Sequence, residues 1–287
     1  MEKIQQINIE LTEPLDLMAS LTSGQCFRWR IDEKGRWLGV IDTKLIRLTQ
    51  NEEILKIESS IEPNESTELQ RMITDYFRIG DKLQLVEQRI GWDSQVMSGI
   101  KQYPGMRILR QDPWEVLASF ILSSTSNIPR ISRTVELIAS KYGQPVSLDG
   151  STRYTFPTAE LLAEVSEEQL RKLGCGFRAP YLASAALAVA TGRVHLGHLR
   201  KTDYTEALNH LTSLKGVGDK IADCVMLFSL DKLRAFPNDR WIAKALHDWY
   251  GFPLHAKYQY SREWSWDRFG EDAGYANQYL FWNTYVN

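Results

Sequence analysis

Lys220 and Asp239 stand nineteen positions apart in the stretch LKGVGDKIADCVMLFSLDKLRAFPNDRW, residues 214–241. An amine can attack an electron-poor carbon and form a covalent intermediate that opens to a Schiff base. A carboxylate beside that carbon stabilises the positive charge that builds as a leaving group departs. Cys224 falls one helical turn after Lys220 and on the same face, which brings its sulfur to the same place. A neutral amine is needed for attack. The positive end of a helix dipole favours it, whereas a Cys224 thiolate would favour the ammonium.

The elements that must position these groups can be read around them. Asp203 is an N-cap candidate ahead of Ala207, Leu211 and Leu214, which recur at helical spacing. Gly216-Val217-Gly218 breaks that helix in a tight turn. A second helix is predicted from Asp219, with Ile221, Val225 and Phe228 on its buried face. Residues 204–230 thus form a helix-hairpin-helix. Its glycines let the backbone bend sharply and approach a ligand closely. The free N–H groups at the start of the second helix suit a phosphate.

The chain has 287 residues, 43% of them hydrophobic, enough for one large domain or two modest ones. No apolar run approaches the ~20 residues that cross a bilayer. The opening MEKIQQINIE lacks the basic-then-apolar pattern of a secretion signal. The expectation is a soluble intracellular protein with no membrane partner: cytoplasmic or nucleoid-associated in a bacterium, nuclear in a eukaryote. Three cysteines, Cys26, Cys175 and Cys224, are odd in number and far apart, which argues against a disulfide framework. They are too few for a four-cysteine iron–sulfur cluster within one chain. His195 and His198 have no partner at ligand spacing, and no metal site is expected. A net charge of −2 and a pI of about 6.3 argue against a nonspecific nucleic-acid binder, while leaving room for a local basic patch.

Alternating apolar residues make residues 1–60 β-rich. Ile7 and Ile9 alternate with polar neighbours, and Phe27, Trp29 and Ile31 read as a half-buried strand. Glu33-Lys34-Gly35 is a hairpin turn, and 36–41, 45–48 and 54–57 supply further short strands. Leu15–Leu21 is a short helix. Residues 65–100 read as two helices, with a stripe of Leu69, Met72, Ile73 and Phe77, and Tyr103-Pro104-Gly105 marks a boundary. Asp112-Pro113-Trp114 opens a helix with proline at its first position. Leu182–Val189 is an Ala-rich helix. The predicted class is α+β: an N-terminal antiparallel β-sheet domain with flanking helices over 1–105, then a mostly helical domain over 106–287.

Gly-Val-Gly-x-Lys-x-Ala-Asp-Cys followed by Pro-x-Asp resembles the helix-hairpin-helix–Gly/Pro–Asp DNA glycosylases, most closely the 8-oxoguanine DNA glycosylase/lyase branch. Four more motifs follow the order of that family: Ser23–Trp29, Ser123–Ile131, Leu173–Ala179 and Ala273–Phe281. The resemblance runs from about residue 6 to residue 285. It implies a monomeric enzyme acting on double-stranded DNA with an oxidised guanine. Lys220 attacks C1′, Asp239 assists, and the Schiff base undergoes β-elimination. No cofactor is required and no iron–sulfur cluster is implied.

The resemblance also implies roles for the remaining motifs. The Gly24 carbonyl accepts the N7–H that distinguishes 8-oxoguanine from guanine. Cys224 and Phe281 flank the flipped base. Asn277 stands where the family has a glutamine that reads the Watson–Crick edge, one methylene shorter. Gln278 follows it, about 100° around the helix, so an altered pocket is expected. Thr125 and Ser126 replace two asparagines beside Asn127, while Arg130 remains to read the opposite cytosine. Phe177 is a wedge for the base stack, and Arg178 a donor to the unpaired base. Trp241 joins the DNA-contacting set. Gly216, Val217 and Gly218 form the DNA-binding turn, and the amides from Val217 to Lys220 hold the DNA backbone, directly or through a monovalent cation. Two other readings stand beside this one: a monofunctional glycosylase for alkylated bases, and a noncatalytic DNA-structure-binding protein.

Overall fold

The alternation in the N-terminal third resolves into a five-stranded antiparallel sheet. The computed structural model describes residues 4–51, 53–61, 65–253 and 255–286. The extreme ends of the two predicted domains, 1–3 and 287, lie outside the described residues. The strands are β1 (Ile4–Glu10), β2 (Arg30–Ile31), β3 (Trp37–Ile41), β4 (Lys44–Gln50) and β5 (Ile54–Ser60), in the order β1-β5-β4-β3-β2. Ile57 sits opposite Ile7 on one side and Leu48 on the other. Ile57 and Leu48 pack onto Leu69, Ile73 and Phe77 from the Ser66–Tyr76 helix and its end.

Two local expectations are corrected. Phe27–Trp29 is not strand; only Arg30 and Ile31 pair with β3. Arg28 does not point outward. It is buried, with Nε 2.8 Å from Glu136 Oε1 and Nη1 3.3 Å from Glu115 Oε2, and it also donates to the Tyr154 carbonyl. The indole of Trp29 lies over Gly39, where an added Cβ would come within 2.4 Å of the ring, and its Nε1 donates to the Tyr76 hydroxyl at 2.9 Å. Residues 65–100 hold three helices, Ser66–Tyr76, Leu83–Ile90 and Ser94–Gln102, because Asp93 caps a new one by accepting from the amides of Gln95 and Val96.

Residues 167–190 are long and apolar enough by composition to cross a bilayer. They are not one continuous helix. A π-helical turn (Arg171–Cys175) and a 3-10 turn (Gly176–Arg178) interrupt them, with Gly174 at φ 90°. Leu170, Cys175, Ala179 and Leu182 lie in the helical core.

A second, two-stranded sheet lies outside the N-terminal third. β6 (Pro145–Leu148) and β7 (Ser151–Tyr154) form a hairpin on Asp149-Gly150, both at positive φ. That pair suits a two-residue turn. Leu148 packs on Leu38, Val40 and Leu45, which joins the large sheet to the helical part. The segment after Gly105 serves both cores: Leu109 packs under the sheet, and Met106 and Ile108 among the helices. Gln25 fixes this junction. Its Nε2 donates to the Arg107 carbonyl at 2.9 Å, and its Oε1 accepts from the Leu109 amide at 2.8 Å. The loop that carries Gly24 is thereby tied to the centre of the molecule.

Candidate active site and nucleic-acid interface

Lys220 occupies the first turn of the Asp219–Ser229 helix, whose N-cap, Gly218, brings no capping side chain. Its Nζ lies in a cavity of about 660 Å³. There it donates to Ser123 Oγ at 3.2 Å and sits 5.3 Å from the centroid of the Phe120 ring. Cys224, one turn on, is buried beside it. Burial pushes the Cys224 thiol up to about 12, against the lowering effect of Lys220 and with a further rise from Asp239. The group is therefore a neutral thiol at neutral pH, and the opposing effect expected of a thiolate does not arise.

Asp239 is the N-cap of the Arg240–Tyr250 helix. Its Oδ1 accepts from the amides of Trp241 and Ile242, at 2.9 and 3.0 Å. Those bonds fix the carboxylate at the cavity wall, while Oδ2 accepts from no donor among the described residues. The preceding turn is held on two sides. Asn277 Nδ2 donates to the Pro237 carbonyl at 3.1 Å, and the Asn238 amide donates to the Tyr258 hydroxyl at 3.2 Å.

Gly24 faces Phe281. Its φ is +76°, and an added Cβ would lie 3.3 Å from the Phe281 ring and 3.1 Å from Ile128 Cδ1. Glycine thus meets both the backbone conformation and the close approach. Phe281 is itself backed by Tyr285, stacked at 5.7 Å between centroids. Asn277 and Gln278 both line the cavity, although they are neighbours on one helix. Gln278 reaches toward the Gly24 loop and donates to the Ser23 carbonyl at 2.9 Å.

Thr125, Asn127, Arg130 and Trp241 line the same cavity. Thr125 has φ +51°, a left-handed conformation that is unusual for a β-branched residue. Asn127 caps the Ile128–Tyr142 helix through its side chain, accepting from the Arg130 amide at 3.0 Å. Trp241 meets Tyr285 edge-on at 5.4 Å. Phe177, Arg178 and the hairpin turn lie outside the cavity. Phe177 is 52% exposed. The Arg178 guanidinium is buried, donating to the carbonyls of Ser124, Thr125 and Cys175. In this state it braces the Thr125 loop. Gly216, at φ +84°, packs on the Tyr181 ring, where a Cβ would come within 2.4 Å. The Val217 amide donates within the turn to the Leu214 carbonyl at 3.0 Å, so a phosphate would meet the amides that follow it.

Ser123, Gln25 and Arg240 belong to this architecture but were not singled out by sequence. Arg240 adds a positive charge to the rim, next to Asp239. Among the described residues no group of three or more His, Cys, Asp or Glu side chains is placed to hold a metal ion.

Residues 6–117 match the family model of the 8-oxoguanine DNA glycosylase N-terminal domain, and residues 118–269 that of the HhH-GPD superfamily base excision DNA repair proteins. The N-glycosylase/DNA lyase OGG1 of Arabidopsis thaliana is 32% identical over 284 residues, spanning 95% of this chain and 77% of that one. The 8-oxoguanine glycosylase/lyase of Clostridium acetobutylicum, solved with double-stranded DNA containing cytosine opposite 8-oxoG, is 30% identical with a TM-score of 0.91, covering 100% of this chain and 99% of that one. MBOgg1, solved with a low-affinity DNA ligand, is 31% identical with a TM-score of 0.91, covering 99% and 98%. The 3-methyladenine DNA glycosylase of Archaeoglobus fulgidus, at 20% identity and a TM-score of 0.82 over 97% of this chain and 98% of that one, shares the fold. The chain belongs to the 8-oxoguanine DNA glycosylase family of the HhH-GPD base excision repair superfamily.

The buried thiols give a direct test of the site's electrostatics. Burial also raises Cys26, and it raises Cys175 to about 11. Ultraviolet titration of thiolate absorbance in the native protein is expected to show none below about pH 9, near where a free cysteine ionises. Thiolate that appears near neutrality and is lost in Cys224→Ser would mean that Cys224 and Lys220 form an ion pair.

Proposed function

We propose that the protein excises 8-oxoguanine from double-stranded DNA and then cleaves the strand, with Lys220 as nucleophile and Asp239 as its electrostatic partner. The observation that carries this reading is the sharing of one cavity by the Lys220 amine, the Asp239 carboxylate, Gly24 and Phe281. The flipped base would lie between Phe281 and Cys224, edge toward Gly24. As the bond between C1′ and the base breaks, its electron pair leaves with the base, which takes up a proton. The Asp239 carboxylate stabilises the positive charge developing at C1′. The Lys220 nitrogen bonds to C1′ and gives up a proton. Opening of the C1′–O4′ bond gives the Schiff base, loss of a C2′ proton follows, and the 3′ phosphate departs. The amine and carboxylate supply all of this without a cofactor. The hairpin turn at Gly216–Gly218 would hold the phosphate backbone, with or without a monovalent cation, and takes no part in bond cleavage.

Monofunctional base release uses water and has no need of an amine. A lysine held on a serine inside the cavity therefore supports the bifunctional reading over an alkylated-base glycosylase. A DNA-structure-binding protein would need neither Lys220 nor Asp239.

Lys220→Gln is expected to abolish strand nicking and borohydride trapping on an 8-oxoguanine duplex while DNA affinity stays nearly unchanged. Asp239→Asn keeps the shape and removes the charge. Its single-turnover base release should slow by two or more orders of magnitude, since one well-aimed electrostatic contact contributes ~3 kcal/mol or more. Covalent trapping by Lys220→Gln, or an unchanged rate in Asp239→Asn, would contradict the two assignments.

Opposite-base choice gives a separate test. Arg130 and Thr125 line the cavity and Arg178 is committed to loop carbonyls; on this reading Thr125 would meet the opposite base with one rotating hydroxyl. Excision opposite cytosine should be favoured, but less steeply than in an asparagine-bearing relative. Thr125→Asn should sharpen that preference by a few-fold to about tenfold in single-turnover excision opposite C, T, G and A. Asparagine also tolerates the left-handed backbone better. No change in the four rates would remove Thr125 from the reading of the opposite base.

A further inference from the structure

Ser123 Oγ donates to the Phe120 carbonyl at 2.7 Å and accepts from Lys220 Nζ at 3.2 Å. A serine hydroxyl has one hydrogen and two lone pairs. With that hydrogen committed to Phe120, Ser123 can only accept from Lys220. This holds for the ammonium and for the free amine. In the free amine, an N–H bond points at Ser123, so the nitrogen lone pair cannot. We propose that Ser123 is a positioning residue that turns the Lys220 lone pair away from the protein and into the cavity, toward C1′.

The surroundings give the serine this role. The Phe120 ring lies 5.3 Å from Nζ and is itself held by Phe27 and Phe228, at 5.4 and 5.6 Å between centroids. It closes one approach to the amine and cannot hold a lone pair in place. The Cys224 thiol can exchange donor and acceptor roles, so it does not orient the nitrogen by itself. Ser123 belongs to the short turn that ends the Pro113–Ile121 helix, and its hydroxyl geometry is set by that helix rather than by the DNA.

The inference rests on Lys220 as the nucleophile, and its test separates the two. A misaligned amine loses to water, whereas departure of the base depends on Asp239. Single-turnover reactions on an 8-oxoguanine duplex are resolved into enzyme-nicked strands and intact abasic strands that break only in alkali. Ser123→Ala should raise the ratio of abasic to nicked product by about tenfold, the factor that one hydrogen bond supports. Total base release should change by less. Ser123→Thr, which restores a hydroxyl, should return the ratio toward wild type. An unchanged ratio in Ser123→Ala, with or without a proportional fall in both products, would overturn the proposal, as would failure of Ser123→Thr to restore it. If the alanine variant did not fold, Ser123→Cys, whose sulfur is a weak acceptor, would carry the same test. Nicking by Lys220→Gln would instead refute the underlying mechanism, whatever Ser123 does.

Discussion

The carboxylate of Asp223, fully buried, accepts hydrogen bonds from the phenols of Tyr204 and Tyr258, with the Arg262 guanidinium 3.5 Å away. Tyr204 opens the first helix of the hairpin, Asp223 lies in the second, and Tyr258 and Arg262 come from the Tyr258–Phe269 helix. Tyr258 also receives the Asn238 amide, next to Asp239. One carboxylate thus links the helix that carries Lys220 to the turn that carries Asp239. Burial raises its pKa, and the arginine opposes that rise. Removing one member of such a buried cluster would leave its partners unpaired, at a cost of about 3–5 kcal/mol. The cluster thus braces the relative placement of the Lys220 amine and the Asp239 carboxylate from outside the cavity.

The opposite wall is built from backbone. Gly24 is fixed from behind by Gln25, which bridges to the 107–109 segment, and from the side by Gln278 on Ser23. A carbonyl held in this way can distinguish a donor from an acceptor on a base edge, because it cannot rotate to suit either. The Lys220 amine faces a neutral thiol and a hydroxyl that can only accept. The cavity therefore brings the Lys220 amine and the fixed Asp239 carboxylate together with no thiolate charge beside them. Although the whole chain carries a net charge of −2, Arg130 and Arg240 bring positive charge to this rim.

Much of this was legible in the sequence where the backbone makes a demand that few residues meet. Gly24 and Gly216 sit at positive φ against aromatic rings, and each stood out as a motif glycine. Lys220 and Cys224 followed from helical spacing, and the helix caps Asp112 and Asp203 from residue type. What escaped depends on contacts between distant segments. Ser123 meets Lys220 across ninety-seven positions, and Asp223 reads from its neighbours as an ordinary polar helix residue. Arg28 sits at a position that alternation assigns to solvent, yet Glu115 and Glu136 bury it. The β6–β7 hairpin did carry a signal, Asp149-Gly150 between short runs. Its strands were too short and polar for alternation to reveal.

On the proposed mechanism the Lys220 amine becomes covalently joined to the sugar. Borohydride reduction of the enzyme on an 8-oxoguanine duplex, followed by proteolysis and peptide mass spectrometry, tests it without any mutation. One sugar-modified residue, Lys220, is expected, within the peptide from the hairpin's second helix. A modification on another amine, or release of the base with no trapped adduct, would contradict it.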